Sequence, residues 1–171
     1  MREQPTKVTT GAAKSKAAVF LVSAVTVMLA AAVIFAIRHT PPYKPPPFEK
    51  TAIRGVPNPN GDMGYSEIDA MGKFKFSLAA VMYQQSDGSL LVYFTNPEIN
   101  SVYLMCEING KNGAALYKSG LIRPGEYVER LKPAGAIKNE AVEIKINVYA
   151  FNPENFQSAG TAALNNILQP Y

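Results

Sequence analysis

Val142-Glu143-Ile144-Lys145-Ile146-Asn147-Val148-Tyr149-Ala150 alternates apolar with more polar side chains along its whole length. Successive strand residues point to opposite faces, so this stretch predicts a strand with one face on a core and one toward solvent. The same period of two runs through Val102, Leu104, Cys106 and Ile108, which alternate with Tyr103, Met105 and Glu107. Leu90, Val92 and Phe94 form a third row. Phe74 to Tyr83 is apolar and predicts a strand joined to the next by the turn Ser86-Asp87-Gly88. Asn109-Gly110-Lys111-Asn112-Gly113 predicts a second hairpin turn. Leu116 to Lys118 and Tyr127 to Leu131 read as short strands flanking Arg123-Pro124-Gly125, and Thr161 to Leu168 as the last strand. Gly55 to Gly64 reads as irregular. About seven short strands with regular turns predict an all-β domain, an antiparallel two-sheet (Ig-like) sandwich.

Upstream the pattern changes. Ala17 to Ile37 carries no charge, and only Ser23 and Thr26 are polar within it. As a helix it would be roughly 31 Å long, the thickness of a bilayer's hydrocarbon core. Lys14 and Lys16 bound it on one side and Arg38 on the other. It is too long for the apolar run of a cleaved signal peptide, and Ile37-Arg38-His39-Thr40-Pro41 is a poor cleavage site. The expectation is one N-terminal transmembrane helix acting as a signal anchor. The short basic arm, 1–16, stays cytoplasmic, and the larger part lies outside the cell membrane. His39 to Lys50 holds five prolines, which lock φ and favour polyproline II. The predicted division is a cytoplasmic arm at 1–16, a span at 17–37, a Pro-rich stalk at 38–54 and an extracytoplasmic domain at 55–171.

Charge divides along the same boundary. The whole chain has a formal net charge of +4. Residues 1–50 hold seven Lys/Arg against Glu3 and Glu49, whereas residues 51–171 hold ten against eleven Asp/Glu. The basic balance belongs to the anchor region, where it suits lipid headgroups. The domain lacks the basic footprint of a nucleic-acid binder.

Chemistry-bearing residues are sparse. The chain has one histidine, His39, and one cysteine, Cys106, far apart in sequence, so the usual zinc patterns are absent. Cys106 falls on the apolar face of its row and reads as a small core group. Asp62, Glu67 and Asp69 form a loose acidic group without the spacing of a calcium loop. No nucleophile elbow, P-loop or dinucleotide fingerprint occurs. The reading is a non-enzymatic protein without metal or cofactor.

What does stand out is a set of turn sequences: Tyr93-Phe94-Thr95-Asn96-Pro97, Ser119 to Tyr127, and Tyr149 to Asn155. Such loops set strand register or form a contact surface at one end of the sandwich. Tyr103, Tyr117, Tyr149 and Phe151 are expected to point outward and suit such a surface. The candidate contact residues are Leu121, Ile122, Arg123 and Tyr127: apolar groups and a guanidinium on a Pro-Gly support.

These stretches resemble a type of small single-pass protein of Gram-positive, Clostridia-type bacteria. There a short basic N-terminus and one span precede a β-sandwich carrying an F-T-N-P strand end, an SG-L-I-x-PG-E-Y-V turn and a final Y-x-P-E…S-A-G corner. Here the matching segments are Phe94 to Pro97, Ser119 to Val128 and Tyr149 to Gly160, with Gly64 to Ala70 also similar. The likeness covers about residues 55 to 168. It departs at Asn152 before Pro153 and around Pro133 to Ala141. The resemblance implies fold and placement and transfers no site residue. The expected function is a membrane-anchored extracytoplasmic binding or assembly module of a cell-envelope complex, with a protein partner. Alternatives are an accessory subunit of a secretion or conjugation apparatus, or a cell-wall or carbohydrate-acting protein.

Overall fold

The computed structural model describes residues 27–35, 43–59, 61–134 and 140–170. They fall in two compact units, Met1–Lys44 and Pro45–Tyr171. In the first, residues 27–35 are helical with exposed side chains. Nine helical residues rise only about 13 Å, and no helix among the described residues is long and apolar enough to cross a membrane. The fold expectation is corrected there: the described chain shows a short helix where a full transmembrane helix was expected. The rest of 17–37, the arm at 1–16 and His39 lie outside the described residues.

The second unit is built from β1 (Ile53–Arg54), β2 (Ser66–Asp69), β3 (Lys75–Leu78), β4 (Met82–Gln84), β5 (Leu90–Asn96), β6 (Tyr103–Gly110), β7 (Ala115–Lys118), β8 (Glu126–Leu131), β9 (Val142–Phe151) and β10 (Ser158–Gln169). A short 3-10 turn, Gly61–Met63, lies in the irregular stretch. The strands form one ten-stranded sheet in the order β1-β8-β5-β4-β10-β9-β6-β7, with β3 joined to β5 and β2 to β3. The pairings are antiparallel except one. β10 runs parallel to β4, with Leu168 opposite Met82 and Gln169 opposite Tyr83.

This overturns the antiparallel two-sheet sandwich. The unit is a single mixed sheet curled into a half-barrel, stitched across its middle by the parallel rung. Irregular steps in register supply bends. They fall between Leu91 and Phe94 in β5, between Ile108 and Asn109 in β6, and between Ser158 and Gly160 in β10. Such bulges bend a strand and raise its local twist. The step in β5 contains Tyr93, whose φ of 49° is left-handed. For a residue with a Cβ this costs about 1–3 kcal/mol and persists only where surrounding structure enforces it.

The alternation places the core as expected. Leu104 faces Ala150, Cys106 faces Val148 and Ile108 faces Ile146 across β6 and β9. All six are buried, together with Leu90, Val92 and Phe94 of β5. The Ser86-Asp87-Gly88 hairpin forms with Gly88 at φ 79°, a conformation open to glycine. Phe74 to Tyr83 is two strands, β3 and β4, broken at residues 79–81. There the Val81 N–H bonds to the Met63 carbonyl at 3.0 Å and the Asn166 side chain donates to the Ala80 carbonyl at 2.7 Å. The break frees β4 to reach β10.

Tyr117 was expected outward and is fully buried. Its hydroxyl donates to the Gly88 carbonyl at 3.1 Å. Burial, with the Asp87 charge adding, pushes its ionisation up to about 12. Its rung opposite buried Ile108 puts the ring on the core face. Met105, also expected outward, is buried as well.

Candidate functional site

The segment after β7 decides where the expected contact residues go. Leu121 and Ile122 are both 0 % exposed. Each is held by a different neighbour. The Leu121 N–H bonds to the Pro47 carbonyl at 2.9 Å, and the Leu121 carbonyl accepts from Glu49 N–H at 2.8 Å. Ile122 exchanges both backbone bonds with Leu104, at 2.8 and 3.1 Å. Asn96, itself buried, donates its side-chain amide to the Ile122 carbonyl at 3.0 Å and to the Val102 carbonyl at 2.8 Å. The Asn-Pro signal is therefore a structural knot. Of the four candidates, Arg123 and Tyr127 reach solvent, while Leu121 and Ile122 are sealed from any partner.

Arg123 is engaged at home. Its guanidinium lies 3.8 Å over the Phe48 ring centroid, and Nη1 sits 3.4 Å from Glu126 Oε1. Phe48 in turn packs edge-on against Tyr103 at 5.1 Å and Phe156 at 6.4 Å. These half-buried rings form an aromatic seat for the incoming chain. The residues expected in the second half of the stalk belong to the folded unit, which begins at Pro45.

Glu49 fastens this strap. Its Oε2 accepts the Gly120 N–H at 2.8 Å, while Oε1 accepts from Thr51 N–H at 3.1 Å and the Thr51 hydroxyl at 2.7 Å. Burial pushes the carboxyl's ionisation up, but the Gly120 and Thr51 donors together hold it below its usual value. Gly120 allows the approach. A Cβ there would lie 2.5 Å from Glu49 N and 2.8 Å from its Cα.

The strap opens a groove. β1 pairs with β8 for two rungs only, Ile53 with Tyr127 and Arg54 with Glu126. From Thr51 back to Pro47 the chain runs beside Gly120 and Leu121 instead. Among the described residues, no strand covers the β1-side edge of β8 from Val128 to Leu131. The next rung across the seam is Tyr117 with Pro133, backed by the Ala134 N–H bond to the Leu116 carbonyl at 2.7 Å. Between strap and rung lies a cavity of about 800 Å³, lined by Phe48, Ile53 and Val128 among apolar residues.

Lys50, Lys118, Arg130 and Lys132 rim this groove. Its acids are already engaged: Glu49 as above, Asp87 by Ser89, and Glu129 by the Arg130 guanidinium at 3.2 Å. Lys118 is half satisfied by Glu107 at 3.1 Å. Lys50 and Lys132 have no ion-pair partner among the described residues. The groove thus offers an unpaired strand edge, an apolar floor and surplus positive charge.

Among the described residues no group of three His, Cys, Asp or Glu could hold a metal ion. Glu67 pairs with Lys75 at 2.8 Å, and Asp69 accepts from the Gly72 N–H. Cys106 is buried, and desolvation pushes its thiol up to about 12, so it stays neutral. Sequence reasoning missed the strap because a proline run reads as extended spacer. The one signal was Phe48-Glu49, an aromatic and an acid closing that run. No protein-family model, curated protein or solved structure matches this chain.

Proposed function

We propose that the unit from Pro45 onward is a non-enzymatic binding or assembly module of a bacterial cell-envelope complex. The uncharged stretch Ala17 to Ile37 holds it at the outer side of the cell membrane, and a protein partner engages the groove between β7 and β8. The observation that supports this reading best is the uncovered edge of β8 beside an apolar floor. Such an edge pairs with an extended segment through main-chain bonds, while neighbouring pockets select its side chains. The cationic rim favours a segment bearing carboxylates.

A photo-crosslinking residue at Lys132 in the full chain, in native membranes, tests this. Adducts should map to an extended acidic segment of one partner and weaken with salt. The same probe at Asp62, away from the groove, should give none of them. Glu129→Pro removes an N–H from a β8 residue that is out of register with β5, and it should abolish the Lys132 adduct while the fold survives. Equal adducts from both positions, or none from Lys132, would reject the groove.

A further inference from the structure

A second site lies on another part of the sheet and does not depend on the groove. The outward rows of β6, β9 and β10 meet in a concave surface of about 790 Å³, lined by Asn109, Asn147, Asn165, Lys145 and Glu143 among others. The register builds it directly. Asn109 lies opposite Lys145, which lies opposite Asn165, and in the next row Asn147 sits between Glu107 and Ala163. Lys111 pairs with Glu143 at 3.3 Å at one end.

Asparagine is disfavoured within strands because its side chain competes with the ladder. Asn109, Asn147 and Asn165 on three adjacent strands break that local preference, and such breaks mark sites kept for another reason. Asn166 is not one of them: it lies opposite buried Ile144, on the other face, with its amide given to the Ala80 carbonyl at 2.7 Å and its oxygen taking the Ile167 N–H at 2.8 Å. Asn109 donates to Glu107 Oε1 at 3.2 Å, yet its own Oδ1 is buried without a partner. The side chains of Asn147 and Asn165 make no hydrogen bond among the described residues.

The remaining chemistry narrows the ligand. β9 is paired on both sides, by β6 and β10, so it offers no strand edge to a peptide. Recognition there must come from side chains. The lining charges are Lys111 and Lys145 against Glu143, with Lys111 and Glu143 already paired, which suits neither a polyanion nor a cation. An asparagine side chain presents an NH2 donor group and a carbonyl acceptor, the complement of the carbonyl and N–H of an acetamido group. Lys145 and Glu143 add a donor and an acceptor for hydroxyls. Ile167, 49 % exposed, offers an apolar patch for an acetyl methyl, and Tyr149 follows Asn147 on the same face of β9.

We infer that this surface binds a glycan chain of N-acetylated amino sugars, held by Asn147 and Asn165. Saturation-transfer NMR on the full chain in phospholipid nanodiscs tests it, with chitohexaose as probe and cellohexaose, which has hydroxyls in place of acetamido groups, as control. Saturation should appear on the acetyl methyls of chitohexaose and titrate to a plateau, with cellohexaose at least tenfold weaker. The double substitution Asn147→Ala with Asn165→Ala should lower affinity at least tenfold. Asn165→Asp keeps the shape while replacing a donor with a charge, and it should do the same on its own in a folded protein. No transfer from chitohexaose, equal binding of cellohexaose, or affinity unchanged in Asn165→Asp would overturn the assignment.

Discussion

Glu49 accepts the Gly120 backbone N–H at 2.8 Å across 71 positions of chain. An ionised acceptor makes this bond stronger than a neutral one. It converts the end of a proline-rich segment into part of the sheet's wall.

The contact makes stability depend on acid. The Glu49 carboxyl is held below its usual value of 4.5: burial alone would raise it, but the Gly120 and Thr51 donors outweigh burial. A carboxyl lowered in the folded state contributes stability above its unfolded pKa and loses it as pH falls through the folded one. Melting temperature should be level from neutral pH to about 5, then fall. Glu49→Gln should melt lower at neutral pH and decline less in acid. An unchanged acid slope would show that Glu49 is not the linked group.

Gly120→Ala should lift the strap, because the added methyl meets Glu49 backbone at 2.5 Å. Overpacking of this kind costs about 1–3 kcal/mol. Limited trypsinolysis should then cut after Lys50 far faster than in the parent, while the far-UV spectrum stays β-rich.

A chain cut to Pro45–Tyr171 should fold alone. A shorter one starting at Ala52 loses Phe48, the Glu49 bonds and the Pro47 bond to Leu121, and should be less stable by about 3 kcal/mol, from partial loss of aromatic burial and three hydrogen bonds. Urea unfolding of the two measures the difference directly.

The candidate contact residues separate into two classes. Ile122→Ala, at a fully buried site, should cost about 2–5 kcal/mol. Arg123→Ala should cost only about 1 kcal/mol, since the guanidinium that makes its ring contact and ion pair is half exposed. Chemical denaturation of both distinguishes a structural pair from a surface one.

Cys106 should resist thiol reagents until the domain unfolds, since it is buried with its ionisation pushed up to about 12. Cys106→Ala should cost on the order of 1 kcal/mol. Native labelling at the rate of a free thiol would contradict the placement.

Residue alternation carries local information well. The inward rows of β5, β6 and β9, the hairpin turns at Gly88 and Gly113, and the burial of Cys106 were all legible. Alternation reports which face is apolar, and two stacked sheets share that pattern with one curled sheet. The parallel rung of Leu168 on Met82 joins segments far apart in sequence, and no local signal announces it. Leu121 and Ile122 illustrate a second limit. Both lie in a turn sequence beside Pro124-Gly125, so both read as exposed. The Phe48 strap covers one and Leu104 the other, and the strap was hidden in a proline run. The groove was illegible for the same reason, since it exists only where the strap leaves β8.

The place of β10 bears on biogenesis. It is the final strand in chain order, yet it sits at the centre of the sheet, between β4 and β9. While the polypeptide is still emerging from a ribosome or a translocon, β9 has one neighbour and the two flanks of the sheet have no seam. Neither flank can close its core before β10 arrives, so maturation waits for nearly all of this unit to be delivered. Pairings between segments this remote are also slow to form. Until β10 is delivered, a nascent chain of this kind keeps its apolar rows exposed.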